Sequence, residues 1–390
     1  MFKVAVGQSC DIDAELAASE VVAQCSRELG ATPPRAALVF ASVELDHRRV
    51  LERIGAAHPG LPLIGCTTDG EATSRLGFHE NSLALALLAG DALTVATAVA
   101  RDVSRDPVER SRVAAAAAAR ALGRPPALCV TTPESLTTSG AAILEGLRAG
   151  LADIAPIVGG LAGDAVKHSG TYQFHGDEVL RDAAPLLLLA GPLAVSVGLS
   201  SGWAPIGRRG VVSRADGHVV HEIDGRPALE FYRHYLGDDS PSGDYPLAVF
   251  EPDGAGFFLR APQRSDPETG RVAFFGDVPE GALVQLTTAD RRNILARCDQ
   301  AIAAAVADYP AKRPAAALFF SCASRRRVLG SRTAEELGTI ARHVGDDVPI
   351  AGFYAYGELG PTARGGPSRF HNETIVVTLL GERDEGGEAG

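Results

Sequence analysis

Three groups of side chains in this 390-residue sequence could do chemistry: Ser42 with Glu71 and His79, Thr132 with Asp164 and His175, and Cys322 with Glu358 and His371. Each offers a hydroxyl or thiol, an acid and an imidazole. These are the parts of a nucleophile relay, in which the imidazole takes a proton and the carboxylate orients the ring. Ser42 has no nucleophile-elbow sequence around it, and the second group substitutes threonine and aspartate, so shared structural hydrogen bonds are the simpler expectation for diverged copies. No catalytic residue is assigned, with Cys322 and Ser42 as fallback candidates. Cys322 is the sharper of the two. Arg325, Arg326 and Arg327 follow it, and nearby cations depress a thiol toward the reactive thiolate, although a strand cysteine is most often a small buried hydrophobe. Arg325 could instead hold a carboxylate or phosphate through paired hydrogen bonds.

The groups recur because the chain repeats itself. In the first unit an apolar run (37–42) follows Pro33-Pro34, a helical stripe ends before His58-Pro59-Gly60, a second run enters a glycine loop (62–71), and a third strand covers 82–88. The second unit has runs at 127–132, 156–164 and 186–189, and the third at 317–322, 349–358 and 374–380. Phe78-His79, Phe174-His175 and Phe370-His371 lead into the last strand of each. From Ser42 to Gly65 is 23 residues, from Thr132 to Gly159 is 27 and from Cys322 to Gly352 is 30, so the units differ in the helix and its loops.

A strand–helix–strand connection within one sheet is right-handed and parallel, which brings both carboxyl ends to one rim, where open α/β sheets bind ligands. The expected ligand-binding residues on that rim are Ser42, Gly65, Thr67, Glu71, Thr132, Asp164, Cys322, Arg325, Gly352, Tyr354, Tyr356, Glu358, His371 and Asn372. Tyr354 and Tyr356 alternate along a strand and would face one side. Gly65, Gly159 and Gly352 read equally well as points of tight packing. Gly159-Gly160-x-x-Gly163 falls short of a dinucleotide fingerprint. The fold class is α/β, with repeated strand–helix–strand–strand units forming mixed sheets packed with helices, a layered α/β sandwich being one arrangement. A β-rich stretch follows the second unit, and a break in the 225–245 region divides the chain. The expected parts are an N-terminal helical segment (1–30, helix 13–29), halves at 31–225 and 226–382, and a disordered acidic tail at 383–390.

Composition narrows the function. Acids outnumber bases 48 to 37, a net charge of −11, so no basic stripe exists for nucleic acid. Three of the 37 bases are lysines, which leaves little room for Schiff-base chemistry. The six cysteines lie far apart with no C-x-x-C, so no metal site or disulfide framework is expected, and a reducing cytoplasm fits. The start of the chain is no signal peptide. The most apolar run, 183–195, contains Pro185 and Gly191-Pro192 and falls short of the about 20 residues a membrane helix needs, so no membrane insertion is expected.

The segments 38–42 and 64–71, the stretch Gly202-Trp203-Ala204-Pro205-Ile206-Gly207, and the third-unit segments 320–325 and 348–360 resemble the FIST domain pair. The resemblance covers roughly residues 30 to 382. It implies a bacterial, cytoplasmic sensory module with an N-terminal and a C-terminal domain, which binds a small ligand such as an amino acid and passes the signal to a separate signalling protein. The family carries no catalytic residues over to this chain and no cofactor is expected. A thiol- or hydroxyl-dependent hydrolase or transferase, and a protein-interaction scaffold, are the alternatives.

Overall fold

The computed structural model describes residues 1–237, 241–252 and 256–383, so the expected tail lies outside the described residues from 384 onward. Strands Pro34–Ala41 and Leu63–Thr67 pair in parallel, joined by helix His47–Ala57, and Leu83–Ala89 returns antiparallel beside the first. Leu128–Thr131 with Ile157–Gly160 and Ala183–Ala190, and Ala316–Cys322 with Ile350–Ala355 and Ile375–Glu382, repeat that pattern. Asp46, Asp106 and Asp290 start helices by accepting hydrogen bonds from backbone N–H groups of the first turn. The protein is thus mixed α/β.

Both faces of the central strands are buried. Leu38 and Phe40 point into an apolar core shared by all three units, where Phe40 packs on Phe353 at 4.7 Å and Phe353 on Phe320 at 5.4 Å. Ala37, Val39 and Ala41 face the other way, toward helices Ala14–Leu29 and His47–Ala57. Burial on two sides is why these runs read as unbroken apolar sequence rather than as alternation.

Each unit also lends a hairpin to another. Glu71–Thr73 with Gly77–His79 extends the third sheet beside Ile350–Ala355, Gln173–His175 with Glu178–Leu180 extends the first beside Leu63–Thr67, and Glu358–Pro361 with Ser368–His371 extends the second beside Ile157–Gly160. The exchange is cyclic and yields three six-stranded sheets. Lys3–Ser9, Thr94–Arg101 and Leu193–Ser200 close their outer edges. The phenylalanine–histidine dipeptides therefore belong to the exchanged hairpins and do not lead into the returning strands. A further eight-stranded sheet lies between Ala204 and Thr288, around Val212, Tyr232, Phe274 and Leu286. No helix among the described residues is long and apolar enough to cross a membrane.

Gly65, Gly159 and Gly352 sit opposite the neighbouring parallel strand, where a Cβ would fall 1.9 Å, 1.9 Å and 2.1 Å from the carbonyl oxygens of Val39, Thr131 and Phe319. Backbone contact, rather than a ligand, occupies that space. Gly55, exposed in helix His47–Ala57, has nothing within 4 Å of its Cβ position. Gly352→Ala should therefore destabilise by about 1–3 kcal/mol or more, and Gly55→Ala should stabilise by about 0.5–1 kcal/mol, in denaturant unfolding at neutral pH. Equal effects of the two substitutions would contradict this packing.

Candidate functional site

The three glycines set the register between units, and that register corrects two correspondences drawn from sequence. Val39, Thr131 and Phe319 pair with Gly65, Gly159 and Gly352, so Ser42 and Cys322 correspond to Glu134, not to Thr132. Ser42 N–H donates to Ser82 O, Glu134 N–H to Ala183 O, and Cys322 N–H to Thr374 O, each at 2.9 Å. Likewise Glu71 and Glu358 correspond to Gln173, not to Asp164. The returning strand is clamped at that position: Ser82, Ala183 and Thr374 donate their N–H groups to the side chains of Glu71, Gln173 and Glu358 at 3.2, 3.2 and 3.1 Å. Glu71 and Glu358 also accept from the Ser82 and Thr374 hydroxyls at 2.6 and 2.8 Å. Burial raises Glu71 to about 7 and Glu358 well above the carboxylate range. Glu71 and Glu358 thus meet Ser42 and Cys322 through Ser82 and Thr374, although each lies on a hairpin that pairs with another unit's sheet.

In the first two units the rim is filled. Ser42 Oγ donates to Asn81 Oδ1 at 3.1 Å, Thr67 Oγ accepts from Tyr172 N–H at 3.0 Å, and Thr132 Oγ donates to Gly65 O at 3.0 Å. Glu134 accepts from the backbone N–H groups of Ser135 and Leu136 and from Thr171 and Gln173. Sequence reading missed Glu134, and because the helix and loop lengths differ between units only the pairing of Thr131 with Gly159 in the structure identifies it.

The third unit is open. Cys322, Ser324, Tyr356, Asn372 and Glu373 line a cavity of about 190 Å³, closed by Val166 and His168 of the second unit and by Ala261, Gln263 and Phe275 of the eight-stranded sheet. Cys322, Tyr356 and Asn372 were expected here, while Glu373, Ser324 and His168 were not. His168 stacks on Tyr356 at 5.1 Å, and Tyr356 donates to Asp164 Oδ1 at 2.6 Å. Asp164 also gathers the N–H groups of His168, Ser169 and Gly170, which fixes a loop where Ala165, Val166 and His168 all have left-handed φ. Beside it Asp69 pairs with Arg326 at 3.2 Å. Burial raises Asp69 to about 6 against that cation's pull.

Glu373 is fully buried with a left-handed φ of 60°, and neither carboxylate oxygen completes a hydrogen bond, although the Ser324 hydroxyl and Cys322 thiol flank it. Burial pushes Glu373 up to about 8. The Cys322 thiol is also pushed well up, by burial first and then by Glu358 and Glu373, so the following arginines do not leave it as a thiolate. Arg325 is used elsewhere. With no exposed surface, it meets Glu336 at 2.5 Å and donates to the carbonyls of Ser201 and Ile294, and Glu336 also accepts from Ser321 and Tyr354 at 2.9 Å each. Tyr354 and Tyr356 part company because the strand ends at Ala355. His371 donates toward Gly360 O at 3.0 Å and is held neutral near 4 by burial, away from this cavity. Among the described residues no group of three or more His, Cys, Asp or Glu is placed to hold a metal ion.

Residues 35–226 match the FIST N domain and residues 228–361 the FIST C domain. An uncharacterised protein of Mycobacterium tuberculosis is 28% identical over 395 residues, covering 97% of this chain and 99% of its own length. An uncharacterised protein of Mycobacterium bovis is 26% identical over 394 residues, covering 97% and 98%. Among solved structures, cyanuric acid hydrolase from A. caulinodans superposes with a TM-score of 0.41 at 11% identity, over 98% of this chain and 100% of that one.

Two outcomes follow from the buried charges. Arg325→Leu leaves Glu336 without its cation and should cost about 3–5 kcal/mol in denaturant unfolding, and a loss below about 1 kcal/mol would contradict the pairing. Glu373 holds its proton in the folded chain to about 8 but loses it near 4.5 when unfolded, so its stabilising contribution is whole below 4.5 and is lost as pH rises through 8. Melting midpoints between pH 5 and 9 should fall less steeply for Glu373→Gln than for the wild type, whereas parallel curves would contradict the assignment.

Proposed function

The chain belongs to the FIST family, whose domains are sensory, and from that premise we propose that its ligand is a small zwitterion of amino-acid size held in the cavity beside Cys322. One observation carries the reading: the cavity is walled by three separate parts of the fold, the second unit, the third unit and the eight-stranded sheet. A ligand touching all three would favour one arrangement of those parts over another, which is what a sensor needs to report occupancy. The chemistry suits a zwitterion. Glu373, buried and with no well-formed hydrogen bond among the described residues, would accept from an ammonium group, and Ser324, Asn372, Gln263 and the Arg327 side chain offer donors for a carboxylate. Glu373, which burial keeps protonated at neutral pH, would release that proton to solvent as the ammonium arrives.

The signal passes to a separate signalling protein, in the cytoplasm, where six free cysteines are stable. The buried, raised thiol of Cys322 speaks against the hydrolase or transferase alternative, because the thiolate is the nucleophile. Thermal unfolding of the chain against the common amino acids tests the reading. A true ligand at about 100 times its dissociation constant adds roughly 2.7 kcal/mol of stability, and Glu373→Gln should abolish the resulting midpoint shift. No shift with any amino acid would refute the ligand class, and alkylation of Cys322 faster than free cysteine at neutral pH would restore the thiol-enzyme reading.

A further inference from the structure

Arg260 and Phe370 wall a second groove, of about 710 Å³, together with Trp203, Phe258, Leu259 and Arg297. It backs onto the first cavity, since Ala261, which follows Arg260, and Asn372, which follows His371 of the groove wall, line that one. Arg260 is the anomalous group here. Its residue is 8% exposed, yet it forms no ion pair with any carboxylate among the described residues. Nε donates to Asp277 O and Nη1 to Leu259 O, both at 2.9 Å, and Nη2 has no hydrogen-bond partner among the described residues. The guanidinium lies 4.3 Å from the Phe258 ring centroid and 5.5 Å from that of Phe370.

Arg325, the other deeply buried arginine of the region, shows how this chain otherwise treats such a charge: it is neutralised by Glu336. An arginine remains charged at any ordinary pH, and burying it unpaired is costly unless carbonyls, rings or an anion compensate. At Arg260 the carbonyls and rings are present and the anion's place lies on the groove. The other arginines of the groove are partly occupied. Arg369 meets Glu251, Arg148 meets Asp153, and Arg297 donates to Gln300 and to no acid among the described residues.

We propose that this groove is a second binding site, for a small organic oxyanion: a carboxylate or phosphate bound by Arg260, on a flat apolar body covered by Trp203, Phe258 and Phe370. Paired N–H donors of one guanidinium suit both oxyanions, and the flat aromatic walls suit a ring. The inference does not depend on the ligand of the first cavity.

Trp203 is the one tryptophan in the sequence, so its emission reports on this groove in the unaltered chain. The full chain is titrated, at about 0.15 M salt, with benzoate, phenyl phosphate and the neutral benzyl alcohol. At least one anion should produce a saturable emission change with a dissociation constant roughly tenfold or more below that of the alcohol, and the tighter anion identifies carboxylate or phosphate as the source. Arg260→Lys, which keeps the charge and loses the fork, should weaken that anion at least several-fold. Equal affinity for anion and alcohol, no saturable change with either anion, or full affinity in the lysine variant would each overturn the proposal. Should the variant fail to fold, the comparison of anion with alcohol on the wild-type chain decides.

Discussion

A parallel strand that ends a sheet leaves a row of backbone N–H and C=O groups without partners, and in this protein three strands face that situation: Leu63–Thr67, Ile157–Gly160 and Ile350–Ala355. Each is completed by a hairpin from another unit. Because the loans run in a circle, no unit can complete its sheet without a neighbour, and all three turn one apolar face to a single core. The same hairpins begin with Glu71, Gln173 and Glu358, whose side chains hold the first N–H of the returning strands. Closing the sheets and building the rim are therefore one event.

From that constraint follows the difference between the units. All three place a residue at the rim, but Ser42 is met by Asn81 and Glu134 by a set of N–H and side-chain donors. The third unit places Cys322 beside Glu373, an acid flanked by the Ser324 hydroxyl and the Cys322 thiol that completes no well-formed hydrogen bond among the described residues, and leaves space in front of them. Two of the three positions are thus filled by structure, and one borders a cavity. The buried Arg325–Glu336 pair underlies that cavity, anchoring helix Ala323–Leu329 to the strand that carries Ser321.

Much of the fold was legible in the sequence. Apolar runs bounded by proline and glycine located the parallel strands, and the helical stripe that ends before His58 located helix His47–Ala57. Local pattern carries no information about which sheet a short hairpin joins, so the exchange was invisible, and Phe370-His371 was attached to the wrong strand. The same blindness affected the site. Aligning the units by residue type matched Thr132 with Ser42 and Asp164 with Glu71, whereas contact between glycine and a neighbouring carbonyl matches Glu134 and Gln173. Charge proximity read along the chain could not reveal that Glu336 neutralises Arg325 and that burial raises Cys322. Glu373 carries no motif at all. Its significance comes from a left-handed backbone and from carboxylate oxygens that complete no well-formed hydrogen bond among the described residues, which only the folded structure reveals.

The space beside Cys322 is the centre of this account, and filling it is the sharpest test. Ser324→Trp would place an indole among the cavity walls, since Ser324 lines the cavity beside Gly243 and Glu373. Native mass spectrometry of the wild type and this variant, each incubated with pooled amino acids, measures occupancy without assuming a particular ligand. One amino acid bound per chain in the wild type and none in the folded variant is the predicted result; equal adducts in both, or none in either, would contradict it.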